Sequence, residues 1–174
     1  MKNIVVYYSW TNNTGVVARE IHDMVGGDLK EIEEVKQRTG GMGFAGGAFS
    51  ALLGLKSKIK PMDFSMSDYE NIFLGGQVWA SHSTPAINAF LDKADLRDKK
   101  VYLFLTKADD KVPQKVIDSI SQRVERKGGK VIDTLSITTS MKSVISPEAA
   151  RKPAEDWLRK NSISVDSYGN SSDI

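Results

Sequence analysis

The chain has 174 residues, 40% of them apolar and 26% charged, with 24 Lys and Arg against 22 Asp and Glu. That length fits one domain able to bury roughly 70% of its unfolded surface, and a formal net charge of +2 is too small to imply nucleic acid. Cysteine is absent and His22 and His82 are the only histidines, so disulfides, thiolate metal sites, Fe–S clusters and cysteine nucleophiles are excluded.

The amino terminus passes from Met1-Lys2-Asn3 straight into Ile4-Val5-Val6-Tyr7-Tyr8, too short for an export signal. No apolar run reaches the roughly 18 residues of a membrane span, so a cytoplasmic protein is expected. Residues 4–8 are predicted as a strand and residues 14–25 as a helix, with Val17, Ile21, Met24 and Val25 on one face and Gly26-Gly27 as its stop. A weaker alternation over 28–35 predicts the second strand. Residues 72–77 and 101–106 are continuous apolar runs, the pattern of strands buried on both faces of a parallel sheet. Between them 85–93 reads as a helix with Ile87, Phe90 and Leu91 inward. A further helix follows over 114–127, carrying Ile117, Ile120 and Val124, and then the last strand over 130–138. Ser146-Pro147-Glu148 reads as N-cap, first helical residue and dipole-favoured acid, opening a helix to about Lys160. Pro153 is expected to kink that helix or reset its start.

Strands alternating with helices imply a doubly wound α/β domain over residues 1–161, with 162–174 as a loose tail. Residues 36–61 break the rhythm with a Gly-rich excursion, a length uncommon unless functional or mobile.

The densest local signal follows the first strand: Ser9-Trp10-Thr11-Asn12-Asn13-Thr14-Gly15 leads directly into a helix. Hydroxyl and amide side chains sit where a helix amino end exposes unpaired N–H groups, which together with the dipole make an anion site. The loop lacks the Lys of a triphosphate P-loop and suits a monophosphate held by neutral donors. Plain N-capping explains the same residues equally well. After the third strand comes Gly75-Gly76-Gln77-Val78-Trp79-Ala80-Ser81-His82-Ser83-Thr84-Pro85, at the edge where open α/β sheets bind ligands. Trp79 there either stacks on a planar ring or packs beneath the loop as core.

These two loops, with the strand end Phe104-Leu105-Thr106, resemble the flavodoxin family over roughly residues 2–160. The matching patterns are a Ser/Thr-x-Thr-x-Asn-Thr-Gly loop after strand one and a Gly-x-x-x-Trp loop after strand three. The resemblance implies a five-stranded parallel sheet in the order 2-1-3-4-5 with helices on both faces, and FMN as cofactor. It implies that Ser9, Thr11, Asn13 and Thr14, within the loop that also holds Trp10, Asn12 and Gly15, cradle the phosphate. Gln77, Val78, Trp79 and Ala80 would line the isoalloxazine, and Thr106, Lys107, Ala108 and Asp109 would meet its other side. No side chain is then catalytic. The expected activity is electron transfer to a redox partner protein or a small-molecule acceptor, and a homodimer is compatible with it.

The chain departs from the family in two respects. Many flavodoxins carry a stacking Tyr in the last loop, and this one has none, so either Phe44 or Phe49 of the excursion fills that role or the flavin is less covered. Carriers are usually acidic, whereas the pI here is about 8.7. An FMN-dependent NAD(P)H:quinone or flavin reductase is therefore the alternative, and a binding module that has lost the flavin a third. Gly41-Met42-Gly43-Phe44-Ala45-Gly46 matches the dinucleotide fingerprint G-x-G-x-x-G, but a polar stretch precedes it where a strand should. A phosphoaspartate receiver would need paired acids where Ser9-Trp10 stand. His22 reads as a surface residue. His82 is a candidate proton donor, and Lys107 a candidate partner for the reduced flavin's negative charge.

Overall fold

Successive residues of the first strand, β1 (Asn3–Tyr7), are buried on both its faces: Ile4 and Val6 join one core cluster, Val5 and Tyr7 another. A strand buried on both sides has to be covered twice. The computed structural model describes residues 2–36, 45–46, 49–50, 52–108 and 114–165 and shows how this is done. The elements run β1, α1 (Asn13–Val25), β2 (Asp28–Glu31), β3 (Asn71–Trp79), β4 (His82–Ser83), α2 (Pro85–Lys93), β5 (Lys100–Lys107), α3 (Gln114–Arg126), β6 (Lys130–Thr138) and α4 (Pro147–Lys160).

Five strands pair in parallel in the order β2-β1-β3-β5-β6. This is the expected 2-1-3-4-5, with β4 added as a short antiparallel return on the end of β3. Alternation along β3 and β5 divides the core: Ile72, Leu74, Val101, Leu103 and Leu105 face α2 and α3, while Phe73, Tyr102 and Phe104 face α1 and α4. Gly75 is a packing requirement. A Cβ on it would lie 2.1 Å from Phe104 Cε2, on the neighbouring strand.

Two strand boundaries and the course of one helix differ from the sequence reading. The second strand ends at Glu31 rather than residue 35, because Glu34 bridges antiparallel to Ile59 and the Val35 N–H donates to Lys58 O at 2.8 Å. The base of the excursion is thus closed by its own backbone pairs. β3 runs on to Trp79, because Ala80 and Ser81 both adopt left-handed φ (46° and 59°) and turn the chain into a hairpin. α4 runs unbroken through Pro153, with Ser146 Oγ capping the Ala149 N–H at 3.2 Å. Ile163 and Val165, expected in a loose tail, pack against the second core cluster. Among the described residues no helix is long and apolar enough to cross a membrane.

Candidate functional site

The chain leaves β1, turns through residues 8–12 and enters α1 at Asn13, with Asn12 in the left-handed region (φ 64°). Local capping accounts for only one of the polar residues here. The Asn12 side chain does not cap the helix; its Oδ1 accepts instead from Arg19, about two helical turns on, at 3.2 Å. Ser9 Oγ reaches forward to accept the Gly15 N–H at 3.1 Å. Helix geometry leaves the N–H groups of Asn13 and Thr14 without intrahelical partners. Arg19 corrects the expectation of a loop served by neutral donors alone, since its guanidinium folds back onto the loop from a helix position that the loop's own composition did not show.

The buried side chains of the loop tie it to the rest of the sheet edge. Thr14, fully buried, shares a 2.7 Å hydroxyl pair with Thr106 at the end of β5. Asn13 Nδ2 donates to Ser140 O at 2.9 Å and its Oδ1 accepts from Ile145 N at 2.7 Å, fastening the segment after β6. Gln77 spans from β3, accepting the Trp10 N–H at 2.9 Å and donating to Thr11 Oγ1 at 3.0 Å. Nearby, burial pushes the Tyr7 hydroxyl pKa up, and the Glu31 carboxylate adds to the shift.

These ties frame a cavity of about 280 Å³ at the carboxyl ends of β1, β3, β5 and β6, close to the lower end of small-molecule sites, about 300–1,000 Å³. Trp10, Thr11 and Asn13 line it from the first loop, and Gln77, Val78, Trp79 and Ala80 from the hairpin. Thr106, Lys107 and Ala108 line it from the end of β5. Trp79 is 3% exposed and meets Tyr8 and Trp10 edge-on with ring centroids 6.0 Å apart, so it is both core and wall. Lys107 is buried in the wall, its Nζ donating to Thr138 Oγ1 at 3.1 Å.

Ser9, Asn12, Thr14 and Gly15 are not among the residues that line this cavity. Asp109 and Phe44 lie outside the described residues, as does most of the Gly41–Gly46 motif. Phe49 is 62% exposed and does not line the cavity. His82 bonds back to Ala80 O at 2.7 Å and is not among the lining residues. The structure adds Ser81, Thr139, Ser140 and Met141. The last three follow β6 on the same sheet edge, and the hydroxyl run Thr138-Thr139-Ser140 was the signal that could have marked them. A second cavity of about 300 Å³ lies on the far side of Trp10, between Tyr8, Ser9 and the acidic run Glu31 to Glu34.

No family model matches the chain, and no curated protein matches it. Solved structures do. A protein of Bacteroides uniformis assigned as a flavoprotein is 19% identical, with a TM-score of 0.72 over 91% of this chain and 97% of that one. The flavoprotein of Lactobacillus acidophilus, solved in complex with FMN, is 20% identical, with a TM-score of 0.63 over 78% of this chain and 92% of its own. Oxidised flavodoxin 2 of Bacillus cereus is 21% identical, with a TM-score of 0.55 over 92% and 99%. The fold is flavodoxin-like.

Proposed function

We propose that the chain binds FMN at the carboxyl edge of its sheet and transfers electrons through it. One observation carries this reading: at the β1/β3 switch point, a cavity with indole and small apolar walls meets a helix end whose first N–H groups have no intrahelical partner. The donor set suits the ligand part by part. The α1 amino end and the Thr11 hydroxyl fit a phosphate monoester, and the Arg19 guanidinium, bonded to Asn12 of the same loop, adds positive charge to the loop. Val78, Trp79 and Ala80 on one strand end and Ala108 on another offer flat or small surfaces for a planar ring. That a protein of the same fold is solved with FMN supports the reading.

Bound FMN supplies one- and two-electron chemistry. The chain orients it, shields it from water and tunes its charge balance. Lys107 has a role in that tuning, because a cation held in the cavity wall stabilises the negative charge a flavin gains on reduction. The same lysine, with the chain's basic balance, favours a second reading, an FMN-dependent NAD(P)H oxidoreductase delivering electrons to a quinone or free flavin.

An anaerobic absorbance titration with FMN, then NAD(P)H, then dithionite tests both. Tight uptake with reduction by dithionite alone is the expected result for a carrier, and bleaching by NAD(P)H is that for the reductase. Failure to take up FMN would remove both readings and leave a flavin-free module.

A further inference from the structure

Side-chain amides from β3 and α1 converge on one hydroxyl. A backbone N–H can only donate, so the N–H of Trp10 draws the oxygen of the Gln77 amide to itself at 2.9 Å, and the amide nitrogen is turned to Thr11 Oγ1 at 3.0 Å. The N–H of Ile145 orients Asn13 in the same way: Oδ1 accepts it at 2.7 Å, and Nδ2 donates to Thr11 Oγ1 at 3.1 Å. A hydroxyl oxygen offers two lone pairs and one hydrogen. Amide N–H groups occupy both lone pairs of Thr11, which leaves its hydrogen to donate, and Thr11 lines the cavity. An unpinned hydroxyl would serve a donor or an acceptor equally well.

We propose that Gln77 is a positioning residue that locks the Thr11 hydroxyl as a donor, so that the loop selects the phosphate ester of a flavin over the flavin's free terminal hydroxyl. The inference rests on the FMN reading above. Phosphate oxygens accept hydrogen bonds, and bonds to an ionised acceptor are about twice as strong as neutral ones, so a committed donor favours the phosphorylated ligand. Gln77 suits the task because it is itself fixed: it is 8% exposed, lies in β3 and pairs in register with Thr106.

Fluorescence titration of the FMN-free protein with FMN and, separately, riboflavin tests it, using wild type, Gln77→Met, Thr11→Val and the double variant. Gln77→Met is expected to weaken FMN binding about three- to tenfold more than it weakens riboflavin binding. The double variant should bind FMN no more weakly than Thr11→Val alone, because Gln77 acts through Thr11. Equal weakening of both flavins by Gln77→Met, or losses that multiply in the double variant, overturns the proposal. Gln77→Glu keeps the side-chain length and the acceptor for Trp10, so it serves if the Met variant does not fold. It presents Thr11 with acceptors only and turns the hydroxyl hydrogen away from the cavity. Its FMN binding should weaken more than its riboflavin binding, and wild-type FMN affinity in it overturns the lock. A wild-type protein that binds both flavins equally overturns the inference alone, whereas one that binds neither overturns the FMN reading with it.

Discussion

The hydroxyl pair between Thr14 and Thr106 joins the start of α1 to the end of β5 across 92 residues of chain, with the oxygens 2.7 Å apart and both residues at most 2% exposed. Thr14→Val keeps the shape and removes one partner, leaving the Thr106 hydroxyl buried and unpaired. Such an orphan costs about 1–3 kcal/mol, whereas replacing both partners by apolar groups of the same shape is nearly neutral. Each single variant, Thr14→Val or Thr106→Val, should therefore lose about 1–2 kcal/mol of folding stability once the gain from the added methyl is offset. For a domain of this size that lowers the thermal midpoint by several degrees.

The double variant should return to within about 0.5 kcal/mol of wild type, a coupling larger than the few tenths that independent sites show. Urea unfolding of the FMN-free protein, with an unchanged dependence on denaturant, measures all four corners of the cycle. FMN affinity should stay low in the double variant although its stability recovers, because the two hydroxyls order the loop end and the cavity wall. A double variant whose stability loss equals the sum of the two singles would refute the reasoning, since it would mean the hydroxyls are solvated separately.

Gly75→Ala should cost about 1–3 kcal/mol or more, because its Cβ would lie 2.1 Å from an aromatic ring carbon of Phe104, a residue with no exposed surface. Phe104→Leu should recover part of the loss, and an unchanged thermal midpoint in Gly75→Ala would contradict the packing. Lys107→Met should lower the midpoint potential of bound FMN by a few tens of millivolts, the scale of one charge near a flavin at an effective dielectric of about 20; spectroelectrochemistry reads this directly, and an unchanged potential would place the lysine outside the flavin's field. At the opposite edge of the sheet, hydrogen bonds from Tyr69 and then from Lys2 hold the Asp28 carboxyl below its ordinary value of 3.8. A group whose folded pKa is depressed stabilises the fold above its unfolded pKa and loses that contribution as the pH falls through the folded value. Asp28→Asn should therefore lower the thermal midpoint at pH 7, with the difference closing well below pH 3.8 and narrowing in high salt.

Local chemistry was enough to read much of this protein from its sequence. The helix Pro85–Lys93, the strand Lys130–Thr138 and the Ser146-Pro147 helix start follow from periodicity, β-branched runs and capping preferences, each decided within a few residues. The apolar runs around Phe73 and Leu103 announced strands covered on both faces, and so a parallel sheet, while its order followed from the resemblance to the flavodoxin family. The first loop and the Trp79 loop stood out because a ligand edge gathers polar and aromatic residues that the core does not need.

Tertiary structure alone decided the rest, because it depends on partners far apart in the chain. The second strand stops at Glu31 because Glu34 finds Ile59. Thr139, Ser140 and Met141 enter the cavity wall because Asn13 draws the segment after β6 toward the first loop. Arg19 supplies the cation missing from the loop only because a helix turn brings it back. Composition set which residues could bind a phosphorylated ring. The direction in which the Thr11 hydroxyl points was set by two amides that β3 and α1 bring to it from separate parts of the chain.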